Sequence, residues 1–521
     1  MKEEILSLIR ERGLLLEKGV FEILENFSDP SFAKDFLVNI EKVSGQKFIS
    51  LNLLGRNIEL VNSAVRDLPG EQKSMVENTF VKLGLSLEIR KEREIVERVD
   101  KKESIESGYR IFYADTKPNK KLEVRDFSNH FRARYGALQS ILRNRRELQN
   151  LISINKISND RQSVSIIGIV CEKRITKNKN LIIRFEDMTG EISGLVKAES
   201  DAFKKTGELL LDDVVGIKAS GSRNMLFVHD IFFPDSFLTE KTRFNNEGSV
   251  AFLSDVHCGS NKHLGKSFGR FLDWINSEDE AAKNVKYIFF TGDNVDGVGI
   301  FPGQESLLSL KSMNEQYSLL ASYIKRIPSN ITIFMCPGQH DASRVAEPQP
   351  IIDKKYAPEL YEIENLVLVT NPCTVKFFEG EKEFRVLMYH GASIHSYINE
   401  IKELREAKAH RCPAKAIKYM LKKRHLASTH GGVVYIPNGD KDPLVIEEVP
   451  HILCTGEVHR PDIENYNGSL IITGSCWQAQ TDFEEKVGNV PDPAKVPVFN
   501  LKSGALKMYD FSDEEEMEKW K

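Results

Sequence analysis

Five apolar runs in the C-terminal half of this chain each end in side chains that can hold a metal ion or move a proton. SVAFLSDVHCG delivers Asp255 and His257, and KYIFFTGDNVDG delivers Asp293 with Asp296 close behind. ITIFMCPGQHD delivers Gln339, His340 and Asp341, FRVLMYHG ends at His390, and HILCTGEVHR leads into Glu457 and His459. A set that mixes carboxylate, imidazole and amide suits Mn, Fe or Zn better than Ca, which prefers an all-oxygen shell. Two such ions ~3.5–4 Å apart can clamp a phosphoryl group and activate the attacking water. One D-x-H or G-D-N on a loop is a weak signal, because most are structural. Five in succession, each at the end of an apolar run, are hard to reconcile with accident. Ten of the twelve histidines fall within 247–510, a hint of metal chemistry in that piece that would mean little by itself.

Short continuous apolar runs of this kind suit strands buried on both faces. In layered α/β structures the strand ends gather on one edge of a sheet, where loops build the site. Glycines beside the polar residues permit tight turns and close backbone approach to an ion or phosphate. The pieces before this one differ in period. Residues 1–66 carry helical patterns, Ile5, Leu8, Ile9 and Leu14–Leu16 in one and Phe32, Phe36, Leu37 and Ile40 in another, which predicts a small helical domain. Residues 67–105 are dense in Lys and Glu and predict a charged linker. Residues 106–160 predict a helical connector, with Phe127, Phe131, Tyr135, Leu138 and Leu142 on one face and Arg132, Arg134, Arg143, Arg145 and Arg146 elsewhere. That basic set reads equally as a solvated face or a phosphate-facing one.

Between 161 and 236 the period shortens to that of strands: VSIIGIV, LIIRFED, ISGLVKA, VVGIKAS and MLFVHDIFF. Five strands in so short a span predict an OB-fold β-barrel. Its first connection, EKRITKNKN, places Lys173, Arg174, Lys177 and Lys179 where such barrels often touch single strands. The same barrels also dock proteins, and no aromatic ladder decides between the two. Residues 402–424 form a second basic, helical stretch, suited to DNA, a partner subunit or solvent. The last residues, 511–521, read as an acidic, frayed tail.

Bulk properties narrow the class. A net charge of -4 and a pI near 6.4 announce no nucleic-acid binder, so any such contact needs a local basic face. No apolar run reaches the ~20 residues of a membrane span. Seven scattered cysteines without a C-x-x-C pair argue against a disulfide framework and a zinc finger. A cytoplasmic protein without membrane contact is expected.

The order D-x-H, G-D, G-Q-H-D, H, G-E-x-H resembles the pattern of calcineurin-like metallophosphoesterases. With the preceding barrel and the segments PGQHDASRVAEPQP (337–350), KKRHLAS (422–428) and GSCWQAQTDFEEKV (474–487), residues 120–510 resemble the small subunits of archaeal family D DNA polymerases. These are kin to the B subunits of eukaryotic replicative polymerases. The resemblance implies a multidomain α+β protein: an N-terminal helical domain, an OB-fold barrel, and an α/β/β/α phosphoesterase domain over 247–510. It implies a 3′–5′ exodeoxyribonuclease that proofreads beside a large polymerising subunit, in a heterodimer or larger assembly that meets DNA and a sliding clamp. On this resemblance, Asp255, His257 and His459 hold one ion and Asp293 bridges to the second. His390, Gln339 and Glu457 complete the second shell. Two divalent ions are implied; Mn2+ is expected, with Mg2+, Fe or Zn as alternatives. His340 stands by the scissile phosphate, Asp341 orients that imidazole, and Arg344 is a candidate phosphate contact.

Two positions depart from the general pattern, and both fall on the second ion. Gln339 replaces an asparagine and extends its amide by about one carbon–carbon bond, ~1.5 Å. Glu457 replaces a histidine and makes the shell harder and more negative. A retuned nuclease is the leading expectation. A catalytically impaired scaffold and a phosphoesterase of small substrates are its rivals.

Overall fold

The computed structural model describes residues 7, 9–25, 33–34, 37–38, 40–41, 47–50, 53, 107–118 and 121–520. The charged stretch 67–105 lies outside them, as do Ile5, Leu8, Phe32 and Phe36. The described part of the N-terminal piece contains a helix, Lys18–Glu25, and a two-residue parallel pairing of Leu15–Leu16 with Phe48–Ile49. Val20, Leu24, Leu37, Ile40 and Ile49 are buried there. Among the described residues no helix is long and apolar enough to cross a membrane.

The first strand of the main body, β1 (Ser107–Tyr113), precedes a twenty-residue helix, α1 (Val124–Arg143). Glu123 and Asp126 start that helix with a reciprocal capping box. Five strands follow, β2 (Gln162–Ile175), β3 (Leu181–Asp187), β4 (Gly190–Val196), β5 (Val214–Ser222) and β6 (Met225–Phe232). They close into a barrel in the order β2-β3-β4-β6-β5. Its interior is filled by Ile166, Val170, Ile183, Phe185, Val196, Ile217 and Leu226, the alternate residues of each strand.

Two six-stranded sheets make up the larger piece. The first contains β7 (Ser249–Leu253), β8 (Val285–Thr291), β9 (Thr332–Cys336), β10 (Leu366–Leu368), β16 (Lys495–Asn500) and β17 (Leu506–Asp510). The second contains β11 (Cys373–Glu379), β12 (Lys382–Met388), β13 (Ile452–Thr455), β14 (Asp462–Tyr466) and β15 (Ser469–Thr473), together with β1. Their orders are β10-β9-β8-β7-β16-β17 and β14-β15-β13-β12-β11-β1. Strands β7 to β10 are mutually parallel, as are β12, β13 and β15. The sheets face each other across Val250, Phe252, Phe289, Phe334, Phe377, Val386 and Ile472. Alternate residues, Ala251, Leu253 and Ile288, turn outward to pack under α2 (Gly265–Ile275) and α3 (Met313–Ile324). Leu387, Leu453 and Ile471 do the same for α4 (Ile394–Glu400) and α5 (Ala414–Lys423) on the other side. Both faces of the central strands are therefore covered, which is why they read as unbroken apolar runs.

Three sequence expectations change here. The connector begins with a strand, since Ser107–Tyr113 pairs antiparallel with β11 and extends the second sheet. The tail is anchored rather than frayed: Phe511 is buried, and the Glu516 carboxylate accepts the backbone N–H groups of Lys266 and Ser267. A carboxylate at this first turn of α2 also meets the positive end of the helix dipole. The basic stretch ending at Arg424 is turned inward at its end. Lys423 pairs with Asp213 in a contact buried on both sides, Lys422 pairs with Glu208, and Arg424 donates to the carbonyls of Ile446 and Glu447. These groups hold the barrel to the two-sheet piece and are turned away from solvent.

Arg134, on the basic face of α1, is likewise buried. It donates to Asp442 Oδ2 (2.6 Å) and to the Ser428 carbonyl (2.6 Å). His425 shares that carboxylate: Ala427 N–H donates to its Nδ1 (3.0 Å), so the ring proton sits on Nε2, which donates to Asp442 Oδ2 (2.8 Å). Burial, and then the Arg134 charge, push the pKa of this imidazole from 6.5 down to about 4. In the unfolded chain the ring takes up a proton near pH 6.5; in the folded chain it resists until pH falls to about 4. The stability this represents is present above pH 6.5 and is lost on acidification, by ~3 kcal/mol at pH 4. Urea titrations of wild type and His425→Gln between pH 7 and 4 check this. The wild-type midpoint falls more steeply with acid, and equal slopes would refute the assignment.

Candidate metal centre

The five apolar runs end on one edge of the two sheets, and their loops meet there. Asp255 and His257 follow β7, Asp293 follows β8, Gln339 and His340 follow β9, His390 follows β12, and Glu457 and His459 follow β13. Five of these side chains stand on left-handed backbone: Asp255 at φ 52°, His257 at 47°, Asp293 at 47°, Glu457 at 75° and His459 at 59°. Such conformations cost non-glycine residues roughly 1–3 kcal/mol each and persist where the surroundings over-determine them. Glycines admit the close approach. A methyl group on Gly338 would stand 2.2 Å from Asp293 Oδ1, and one on Gly456 would stand 2.5 Å from Asp255 Oδ2.

The four imidazoles share one arrangement. Each has Nδ1 beside an oxygen: His257 at Asp296 Oδ1 (3.1 Å), His340 at the Asp296 carbonyl (2.6 Å), His390 at the Thr291 carbonyl (2.8 Å) and His459 at Glu484 Oε1 (3.0 Å). With Nδ1–H donating in His257, His340 and His390, Nε2 of each neutral ring presents a lone pair to the centre, whereas His459 Nδ1 lies beside Glu484 without a hydrogen bond. The Nε2 atoms of His257 and His459 are 3.1 Å apart. His390 Nε2 stands 3.3 Å from Asp293 Oδ2 and 3.1 Å from Glu457 Oε2, and His459 Nε2 is 3.4 Å from Asp255 Oδ1. Lone pairs so close to one another and to carboxylates repel unless a cation or a proton lies between them. The amide oxygen of Gln339 is buried there without a hydrogen-bond partner.

Charge supports the same reading. Burial opposes ionisation of Asp293 and Glu457, but the neighbouring imidazoles outweigh it and hold both carboxyls far below the usual range. His390 responds in kind: burial disfavours its protonated form, yet Asp293 and Glu457 raise its pKa well above the ordinary value. Glu484, facing His459, is held down at about 2 against its burial. Carboxylates packed this closely call for compensating positive charge, and a divalent cation would displace the imidazole protons. Among the described residues three donor sets have the needed proximity: Asp255, His257 and His459; Asp255, Asp293 and His390; and His257, Asp296 and His340. The residues present therefore fit divalent cations.

Several positions do not do what the sequence suggested. Asp341 does not touch the His340 ring. Its carboxylate accepts Asn294 N–H and Nδ2–H, Gly338 N–H and Tyr317 O–H, so it shapes the loop, while the Asp296 carbonyl fixes the imidazole. Arg344 donates to the carbonyls of Lys117, Ala346 and Pro348, which makes it a loop brace and not a phosphate contact. Lys173 turns back to the carbonyls of Thr206 and Leu209, and burial lowers its pKa. Arg174, Lys177 and Lys179 are exposed around the β2–β3 turn.

Sequence reasoning gives Glu484, Gln478 and Asp296 no role, and gives His395, His425 and His430, which lack metal-ligand spacing, surface or structural ones. Gln478 Nε2 donates to Asp296 Oδ1 (3.0 Å), and His395 Nε2 lies 3.4 Å from Glu457 Oε1. Thr481 and Glu484 carry a capping-box pattern that marks a helix start but gives no hint of the histidine it meets. His430 bonds Tyr435 O–H, away from the centre.

A family model for the DNA polymerase alpha/epsilon B subunit matches residues 250–463, the span that supplies most of these side chains. The DNA polymerase II small subunit of Methanothermobacter thermautotrophicus is 34% identical over 518 residues, covering 98% of this chain and 100% of that one. That of Archaeoglobus fulgidus is 33% identical over 493 residues, covering 92% and 97%. For the Pyrococcus abyssi protein the figures are 37% over 402 residues, 75% of this chain and 63% of the longer relative. A solved archaeal phosphodiesterase overlays 50% of this chain and 98% of its own with 12% identity and a TM-score of 0.24, too loose to argue from.

Proposed function

The chain belongs to the DNA polymerase II small subunit family, and on that premise we propose that its cluster is a two-cation phosphodiesterase centre that removes nucleotides from DNA 3′ ends beside a large polymerising subunit. The observation that carries this reading is the convergence of imidazoles on carboxylates: Nδ1 of His257, His340 and His390 is tied back to an oxygen, and the Nε2 atoms of His390 and His459 lie within 3.4 Å of Asp293, Glu457 and Asp255. Asp255, His257 and His459 would hold one cation and Asp293 would bridge. His390, Gln339 and Glu457 would hold the second. Mn2+ suits the carboxylate that Glu457 adds to the set, with Mg2+, Fe and Zn as alternatives. When bound, such a pair polarises the phosphoryl oxygens and generates a nucleophile from water.

The chain's own groups complete the chemistry. Water adds to phosphorus as the bond to the leaving 3′-oxygen breaks, and that oxygen needs a proton. His340 is the most exposed of the four imidazoles, with 22% of its side chain open against 12% or less for the others. Asp293 raises its pKa despite burial, so the ring is suited to hold and deliver that proton. The product is a 5′-mononucleotide. The closed barrel, read as an OB-fold, and the exposed Arg174, Lys177 and Lys179 would lie along the strand.

Full-length protein with Mn2+ is expected to shorten 3′-labelled single-stranded DNA one nucleotide at a time, to stop in chelator, and to resume when Mn2+ is restored. Failure of the subunit, alone and with its large partner, in every divalent metal would overturn the reading. Gln339 and Glu457, the two departures from the general pattern, would then favour a scaffold that only holds the large subunit.

A further inference from the structure

One loop beside His340 puts apolar side chains into solvent where a polar one would be expected. Val298, Ile300 and Phe301 are 38%, 40% and 42% exposed. The loop beneath them is firmly held. Gly297 N–H donates to Gln316 and Ile300 N–H donates to Gln304, and both glutamine side chains are buried. Gln304 in turn donates to the Asp296 carbonyl and carboxylate. Asp296 is the residue that fixes His340 through its carbonyl and His257 through its carboxylate. Gly297, Gly299 and Gly303 take positive φ, which sets the turns that present this crown. A Cβ on Gly297 would stand 2.6 Å from the His340 carbonyl and 2.8 Å from Ile300 Cγ1, so Ile300 and the His340 backbone both lie close against this turn.

Resting on the nuclease reading, we propose that residues 298–301 form a stacking wall for the terminal nucleobase, with Phe301 as its principal contact. A polynucleotide bound by its phosphate at the imidazoles must place its terminal base within a residue or two of that point. A rigid apolar surface fastened to the same imidazoles supplies what a base needs and a phosphate does not. Base–aromatic stacking tolerates any sequence, because every base has a π-face. The anchoring through Asp296 favours this occupant over a protein partner, since a docking patch has no need to share its support with the site.

The test compares a 3′-labelled single-stranded oligonucleotide with one whose 3′-terminal sugar lacks its base, using full-length protein and Mn2+. Wild type is expected to favour the base-bearing end in kcat/KM by roughly 5- to 150-fold. Phe301→Ala is expected to bring that preference near unity, and Phe301→Trp to retain it. Equal use of the two ends by wild type, or a preference that survives Phe301→Ala, overturns the proposal. A surviving preference together with weakened association with the large subunit would assign the loop to protein docking instead. Wild type that digests neither oligonucleotide overturns the nuclease reading itself, a distinct result.

Discussion

His340→Ala is expected to lower kcat on 3′-labelled single-stranded DNA by roughly 10²- to 10⁴-fold, the usual contribution of a positioned proton donor. Its Nε2 lies 3.9 Å from Asp293 Oδ2, farther out than the corresponding atom of His390 at 3.3 Å. Although His340 also forms a donor set with His257 and Asp296, its outer position suits the substrate-facing role proposed for it. Two readouts separate these roles. Calorimetric Mn2+ titration should give an affinity for His340→Ala close to that of wild type, whereas His390→Ala should weaken it by at least tenfold. Single-turnover rates at saturating DNA should then show the His340 loss undiminished. A His340→Ala enzyme within threefold of wild type would remove this residue from the chemistry, and a large loss of Mn2+ affinity would recast it as a ligand.

The second large effect concerns stability. Asp442→Asn should destabilise the fold by roughly 3–5 kcal/mol, because it strips the partner from a buried charge. Arg134 is 2% exposed and Asp442 1%, and the carboxylate serves Arg134, His425 and His130 at once. Desolvation penalises this carboxylate, yet Arg134 and His425 hold its pKa well below 3.8. The amide keeps the shape but leaves the guanidinium without its counter-charge. This network joins α1 to the loops after α5, so its loss should appear as an early unfolding step in a guanidinium titration. An unchanged midpoint would show that the surroundings rehydrate the site without cost.

What was legible in the sequence had a local cause. Strands β7, β8, β9, β12 and β13 could be read because burial on both faces leaves an unbroken apolar run, with Val250 and Phe252 turned one way and Ala251 and Leu253 the other. The side chains that gather at the centre were legible because each follows such a run within a few residues. What escaped depends on residues far apart in the chain. Arg132 and Arg134 look alike on α1, yet only Arg134 meets a carboxylate, 308 residues away. The Thr291 carbonyl fixes, and Glu484 lies against, imidazoles that no spacing rule connects to them. The backbone strain at Asp255, His257 and Asp293 leaves no mark in residue type at all, since those positions hold aspartate and histidine where glycine would be easier.

The pairing of Ser107–Tyr113 with Cys373–Glu379 bears on how this molecule can be taken apart. Because that strand precedes the barrel in the chain and closes a sheet that follows it, the barrel is topologically an insertion within the larger piece. A fragment begun at residue 247 would leave β11 as a bare edge, with Val375 and Phe377 short of their cover and a row of unpaired amides open to other chains. Gene fusions, permutations or truncations that treat barrel and sandwich as beads on a string would cut through a sheet.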